Sequence, residues 1–393
     1  MHAKHTAHHN RQHAKLHISD LWRSYALPFI KKNAVLLIAI VAATVTAFIV
    51  PPDAKYLDYF DWKTLTCLFC VLAVVCALKN IRFFFFLAQK IVKTFKNTRA
   101  CVLALAYVTF IGSMLIANDM ALLTFLPLGF FVLSTTGKKK YMAFTFIMQN
   151  IAANLGGMLT PFGNPQNLYL YTKFNIPTGE CMLTMLPPFA LAVALITLCC
   201  CVFVKKESLE ISEEKIVLPK WRTIIYGLLF ALSIIIVFRI IPFWIGLIVI
   251  PIALLFLDRK ALAKVDYGLL FTFVAFFIFS GNMSRISVIQ NAFGYLMEKN
   301  ALVVYTLSCQ VISNVPSAIL LSQFTTEWQP LLLGVNVGGV GTLISSLASL
   351  ITFREYTSHD RDGAKKYVLL FSAFNFAFLI ILLGACLCLT YLL

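Results

Sequence analysis

The chain has 393 residues, 60% of them hydrophobic and 13% charged, with a formal charge of +16. A soluble domain carries about 25% charged residues, so an ordinary water-solvated globule is excluded. No nucleic-acid-binding motif accompanies the basic charge. The apolar residues come in continuous blocks of about 17–25, the length a helix needs to cross about 30 Å of hydrocarbon. Continuous blocks favour helices over a closed barrel, whose strands would alternate.

Residues 1–33 form a polar, basic tail holding six of the seven histidines (His2, His5, His8, His9, His13 and His17). A cytoplasmic tail facing anionic lipid is expected there, in preference to a loose metal site. The tail is too long and polar to open a signal peptide. Spans follow at 34–50, which ends at Pro51-Pro52, and at 64–78. Segment 81–95 mixes Arg82, Lys90 and Lys93 with aromatic residues, as an interfacial helix does. Stretch 100–134 is too long for one crossing, is interrupted at Asn118-Asp119 and has basic residues at both ends. A re-entrant hairpin with its tip at Asn118-Asp119 is predicted. Stretch 141–171 is a span broken at Gly156-Gly157 and again at 161–165, and 181–204 is an uninterrupted span.

The charged linker 205–222 divides the first half, 34–204, from the second, 223–393. The second half predicts spans at 223–238, 243–257 and 269–280, an interfacial helix at 285–299, and a hairpin at 301–324 around Asn314. A glycine-broken span at 331–351 and a last span at 367–393 complete the chain. The eleven cysteines lie almost all in apolar blocks and read as small apolar filling, including Cys67-x-x-Cys70. Lys and Arg concentrate in links 1–33, 79–99, 138–140, 205–222, 258–264 and 354–366. Placing these in the cytoplasm gives about nine crossings plus two hairpins. The expected setting is the cell membrane, with the N-terminus inside and the C-terminus outside.

The halves repeat. Asp61-Trp62 and Asp266-Tyr267 each open a span that leads to an interfacial helix. Ile116-Ala117-Asn118-Asp119 recurs as Ile312-Ser313-Asn314-Val315, and Asn154-Leu155-Gly156-Gly157-Met158-Leu159-Thr160 as Asn336-Val337-Gly338-Gly339-Val340-Gly341-Thr342. The charge-derived topology makes the repeats inverted, a pattern of secondary transporters whose solute binds at helix breaks near the midplane.

Those breaks supply the candidate site. Asp119 is the only acid placed deep in a span, and an intramembrane carboxylate is a functional candidate by default. Burial suits it to carrying a proton or pairing with a cation. Asn118 shares its tip, and Ser313, Asn314, Pro316 and Ser317 form the opposing one. The richest break holds Asn154, Gly156, Gly157, Thr160, Gly163, Asn164, Gln166 and Asn167; Gly338, Gly339 and Thr342 mirror it. Asn side chains and Gly carbonyls offer neutral oxygens to Na⁺ or a polyol-like solute, while helix N-termini favour anions. No deep Lys or Arg is present, which leaves a neutral or cationic solute open beside an anion.

At Ala117-Asn118-Asp119-Met120-Ala121, Gly163-Asn164-Pro165-Gln166-Asn167 and Ser313-Asn314-Val315-Pro316-Ser317 the chain resembles the ion transporter superfamily. That group includes citrate transporter-like permeases, arsenite efflux permeases and divalent anion–sodium symporters. The resemblance covers residues 34–393. It implies a scaffold domain, a moving transport domain that holds both tips, an elevator cycle and a homodimer. In the symporters each tip is Ser-Asn-Thr; here only the asparagines carry over, to Asn118 and Asn314, and an Asn-Asp tip is closer to the arsenite and citrate–metal permeases. The expected function is secondary transport of a small anion, a carboxylate or oxyanion, coupled to H⁺ or to Na⁺ held near Asn118 and Asn314. A Na⁺/H⁺ antiporter is the nearest alternative and a passive channel a further one. Neither an enzyme nor a cofactor is expected: His359 is the only histidine outside the tail, and no Gly-x-x-x-x-Gly-Lys-Ser/Thr motif is present.

Overall fold

The computed structural model describes residues 34–209 and 216–392, so the histidine-rich tail and its expected role lie outside the described residues. Within them the chain is helical, with no named strand; Asn97 and Ser208 form an isolated antiparallel bridge. The first half contains α1 (Ala34–Ile49), α2 (Trp62–Asn80), α3 (Phe83–Lys93), α4 (Thr98–Ile116), α5 (Asn118–Thr135), α6 (Met142–Gly156), α7 (Pro165–Lys173) and α8 (Thr178–Phe203). The second contains α9 (Lys220–Val237), α10 (Phe243–Leu257), α11 (Arg259–Ala263), α12 (Tyr267–Met283), α13 (Ser287–Ile312), α14 (Asn314–Leu321), α15 (Trp328–Val337), α16 (Leu347–His359) and α17 (Ala364–Leu392). Six described helices are long and apolar enough to cross a membrane, or seven if the pair α12–α13, bent by 93°, is one span. The chain is an all-α, multi-pass membrane protein.

Side-chain caps start several helices. The carboxylates of Asp61 and Asp266, at matching places in the two halves, accept the N–H of Thr64 at 2.9 Å and of Leu269 at 3.0 Å. Each satisfies a donor that a helix start leaves unpaired. The predicted interfacial helix 285–299 and the hairpin arm after it join in α13. Their boundary survives as a kink at Asn300 (φ −166°, ψ 94°), whose side chain caps Val303 N–H at 3.1 Å. The short helix α11 was not anticipated; Asp258 caps it through Ala261 N–H.

Packing follows the sequence breaks. Helix α1 lies along α12, α2 against α9 and α10, α4 against α6, and α13 against α15. Both ends of the α4–α5 unit return to one residue, Glu207. Its carbonyl accepts Thr98 N–H at 2.9 Å, and its carboxylate binds Lys138 and Lys140, each at 2.6 Å. The unit is therefore a hairpin whose turn is at Ala117. In the second half Phe293 rests on Phe324 with ring centroids 4.8 Å apart, so α13 and α14 also fold back.

Links placed on one membrane face by the charge pattern touch one another. Asn80 donates to Asp258 at 3.0 Å and accepts from Lys264 at 2.9 Å, and Arg285 pairs with Asp53 at 2.7 Å. The ammonium groups of Lys138 and Lys140 hold the Glu207 carboxyl down at about 2. A carboxyl lowered by folding stabilises fully above its unfolded value of about 4.3, and that contribution fades as pH falls towards 2. Glu207→Gln is expected to lower the thermal midpoint at pH 7, with the difference from the parent protein shrinking below about pH 4. Midpoints of both proteins across pH test this.

Candidate functional site

A helix that breaks inside hydrocarbon leaves N–H and C=O groups that water cannot satisfy. Among the described residues, four breaks between apolar helices fall in two pairs around one cavity. The tips break at a single residue each: Ala117 (φ 64°, ψ 150°) between α4 and α5, and Ser313 (φ 72°, ψ 158°) between α13 and α14. This backbone region is nearly reserved for glycine, and a non-glycine residue in it costs about 1–3 kcal/mol. The next residue then mends the break. Asn118 Oδ1 accepts Asp119 N–H at 2.9 Å, and Asn314 Oδ1 accepts Val315 N–H at 2.9 Å. Asn314 N–H itself donates to Ser345 O at 2.9 Å.

The second pair lies between α6 and α7 and between α15 and α16. Here Asn164 precedes α7 and Ser346 precedes α16, and the two braces cross. Asn164 Nδ2 donates to Asn336 Oδ1 at the end of α15 (3.3 Å), while Ser346 Oγ donates to Asn154 Oδ1 at the end of α6 (2.7 Å). Each broken helix thus has its restart tied to the interrupted end of the other. Asn154 Oδ1 also receives Asn118 Nδ2 at 3.2 Å, which joins the first tip to the same point. Thr160 Oγ1 donates to Met114 O at 2.7 Å and Thr342 Oγ1 to Gln310 O at 3.1 Å, residues that precede the tip asparagines 118 and 314 by the same interval. Gly156 and Gly338 sit against the same arms. A methyl group would lie 2.2 Å from Phe110 O at Gly156 and 2.8 Å from Thr306 O at Gly338.

These breaks surround a cavity of about 460 Å³. Of the predicted residues, Asn118, Asp119, Gln166, Ser313, Asn314 and Pro316 line it. The others form its frame. Gly339 lies beside Asn314 Nδ2 and Asn154 Oδ1; Gly157 and Gly163 pack against each other. Asn167 donates to Gly157 O and Met158 O and accepts from Asn336 Nδ2 at 2.6 Å, closing the loop. Ser317 is buried behind the second tip. Side chains of α1 and α12, among them Ile38 and Phe276, form the facing wall.

The N-terminal residues of four helices reach this one cavity: Asn118 of α5, Pro165 of α7, Asn314 of α14 and Leu347 of α16. Asp119 is the one charged side chain in its lining, and no Lys or Arg is among the lining residues. Asp119 Oδ1 and Gln166 Oε1 are buried acceptors without a hydrogen-bond donor. No cluster of three His, Cys, Asp or Glu side chains able to hold a metal occurs among the described residues.

Sequence reasoning missed Ser346, Ser345 and Gln310 as site residues, and used Asn336 only as a mark of the repeat. The repeat itself carries the signal, since the offset that maps Asn154 onto Asn336 maps Asn164 onto Ser346.

Paired broken helices around a cavity inside an all-α bundle define a membrane transporter of the secondary type. The citrate transporter family matches residues 25–335, and the chain belongs to that family. An uncharacterized transporter of Methanocaldococcus jannaschii is 35% identical over 305 residues, covering 77% of this chain and 83% of its own length. Inner membrane protein YbiR of Escherichia coli is 28% identical over 305 residues, covering 75% and 80%.

Gly156→Ala is expected to destabilise by about 1–3 kcal/mol, because its methyl group meets backbone that cannot move aside. Gly384→Ala, where nothing lies within 4 Å, serves as the control and is expected to leave stability unchanged or slightly raised. Thermal melts of the two purified variants distinguish these outcomes.

Proposed function

We propose that the chain is an elevator-type secondary transporter of a small anion, a carboxylate or oxyanion, coupled to H⁺ or Na⁺. The convergence of four helix N-termini on one cavity carries this reading. Each terminus presents about half a positive charge, and its N–H groups are natural anion ligands. The frame residues named above would orient them, with Asn118, Asp119, Gln166, Ser313 and Asn314 meeting the solute or its coupling ion.

Asp119 supplies the coupling argument. A carboxylate in an anion cavity with no Lys or Arg repels the solute until something neutralises it. Protonation of Asp119, or a Na⁺ shared by Asp119 Oδ1 and Gln166 Oε1, does so, and either makes anion binding depend on the cation. The proposed architecture is two inverted repeats, 34–204 and 223–393, the second with one extra span, joined by the cytoplasmic linker 205–222, with the N-terminus inside, the C-terminus outside and two copies per assembly. The recurring bonds Thr160–Met114 and Thr342–Gln310 support the repeat. Cross-bracing supports a transport domain that moves as one body, because neither break can shift without the other.

The same unpartnered acceptors favour a second reading, a Na⁺/H⁺ antiporter, in which Asp119 exchanges one cation for another. Thermal midpoints separate the two. A ligand bound only to the folded state raises the midpoint by mass action. Citrate, succinate, sulfate, phosphate and arsenite are each tested with and without Na⁺ and across pH. One anion is expected to raise the midpoint only with Na⁺ or at low pH, and Asn314→Ala to abolish that rise. In vesicles Asp119→Asn is expected to remove the dependence of uptake on pH or Na⁺. A midpoint that answers to Na⁺ or pH and to no anion selects the antiporter.

A further inference from the structure

A second concavity of about 290 Å³ lies away from the solute cavity, between the amphipathic helix α3 and the first hairpin. On α4 it is lined by a helical stripe from Ala100 through Ala104 and Gly112 to Leu115, and on α3 by a stripe from Phe84 through Leu87 to Ile91, with Phe95 just past its end. It is a groove because its floor is built of small side chains: Ala88 is 1% exposed and Ala104 6%. Its rim is apolar yet open, with Leu87, Ile91 and Ile111 exposed. Phe125 of α5 also lines it, so an occupant touches both arms of the hairpin.

Length and charge identify that occupant. From Ala100 to Leu115 a helix rises about 22 Å at 1.5 Å per residue. One leaflet of the hydrocarbon core is about 15 Å deep, so a single acyl chain fits along the groove. Where α3 turns into α4 the lining gives way to basic residues. Lys90 precedes Ile91, Lys96 follows Phe95, and Arg99 precedes Ala100, with Lys93 between; the three lysines are exposed. Clustered lysines beside an apolar, membrane-facing groove attract anionic headgroups.

We propose that this groove is a binding site for an anionic phospholipid, one acyl chain lying between α3 and α4 and its phosphate held by Lys90, Lys93 and Lys96. The bound chain wedges α3 against the hairpin whose tip carries Asn118 and Asp119. Lipid composition therefore sets how freely the first tip moves.

The test uses the purified full chain in detergent, titrated with dioleoyl phosphatidylglycerol or dioleoyl phosphatidylcholine. Thermal midpoint, retained lipid and oligomeric mass are read by melting and native mass spectrometry. Phosphatidylglycerol is expected to be retained and to raise the midpoint saturably, phosphatidylcholine less. The surface variant Lys90→Gln/Lys93→Gln/Lys96→Gln is expected to make the two lipids equal. Ala104→Phe, which fills the floor, and Leu87→Trp, which closes the groove from its exposed rim, are expected to lose the lipid-dependent rise; Leu87→Trp carries the test if Ala104→Phe does not fold. An undiminished rise in Leu87→Trp, or no retained lipid in the parent protein, overturns the proposal. So does a change of oligomeric mass in Leu87→Trp, which makes the groove a contact between copies of the chain.

Discussion

A broken helix inside hydrocarbon must find partners for the backbone groups it exposes, and the rest of this structure depends on how that demand is met. This chain spends side chains on it. Asparagines at 118, 154, 164, 167, 314 and 336 are all buried, and each makes at least one hydrogen bond within the breaks. An amide side chain both donates and accepts, so one residue serves a carbonyl on one side and an N–H or another amide on the other. Serine at 346 does the same in less space, donating to Asn154 Oδ1 and accepting Ala348 N–H.

The tips show what this support holds in place. Ala117 and Ser313 occupy a strained backbone region, and strain persists only where the surroundings over-determine it. The determination comes from the arm behind each tip. Gly156 and Thr160 fix α4 against the first break, and Gly338 and Thr342 fix α13 against the second. Glycine at these two positions allows helix backbones to touch, as it does between membrane helices generally. The arms are thus clamped at the depth of the breaks, and each tip restarts its helix at a set place beside the cavity.

The all-α membrane class and the breaks at the two tips and at the glycine-rich stretches were legible in the sequence, because each is a local matter of block length and helix-breaking residues. Predicted bounds such as 243–257 agree closely with Phe243–Leu257. Asn118, Asp119 and Asn314 were legible as polar residues with no bland place in a span, and they do meet at one cavity. The cross-braces were not. Asn164 and Asn336 are far apart in the chain, and nothing local to Ser346 distinguishes it from Ser345. The strained tips were hidden for the opposite reason: neither carries the glycine that usually announces such a backbone. The strap at Glu207 was missed because its four partners, Thr98, Lys138, Lys140 and Tyr141, come from two separate parts of the chain. Only the hairpin's closure brings those parts together.

The repeat is close in frame and unequal in chemistry. Asp119, next to Asn118, corresponds to Val315, next to Asn314; under the offset that maps Asn154 onto Asn336, Gln166 corresponds to Ala348 and Asn167 to Ser349. Both unpartnered acceptors that line the cavity, Asp119 Oδ1 and Gln166 Oε1, therefore come from the first half. Donor character is shared evenly, since each half contributes two helix N-termini. On the proposed reading this division sets the order of events. Four termini of about +0.5 each face one carboxylate, so the cavity is near balance while Asp119 is charged and clearly positive once it is neutralised. An anion is then drawn most strongly to the cation-loaded or protonated state. On that reading coupling needs no second moving part: it follows from placing one acid beside four converging helix ends.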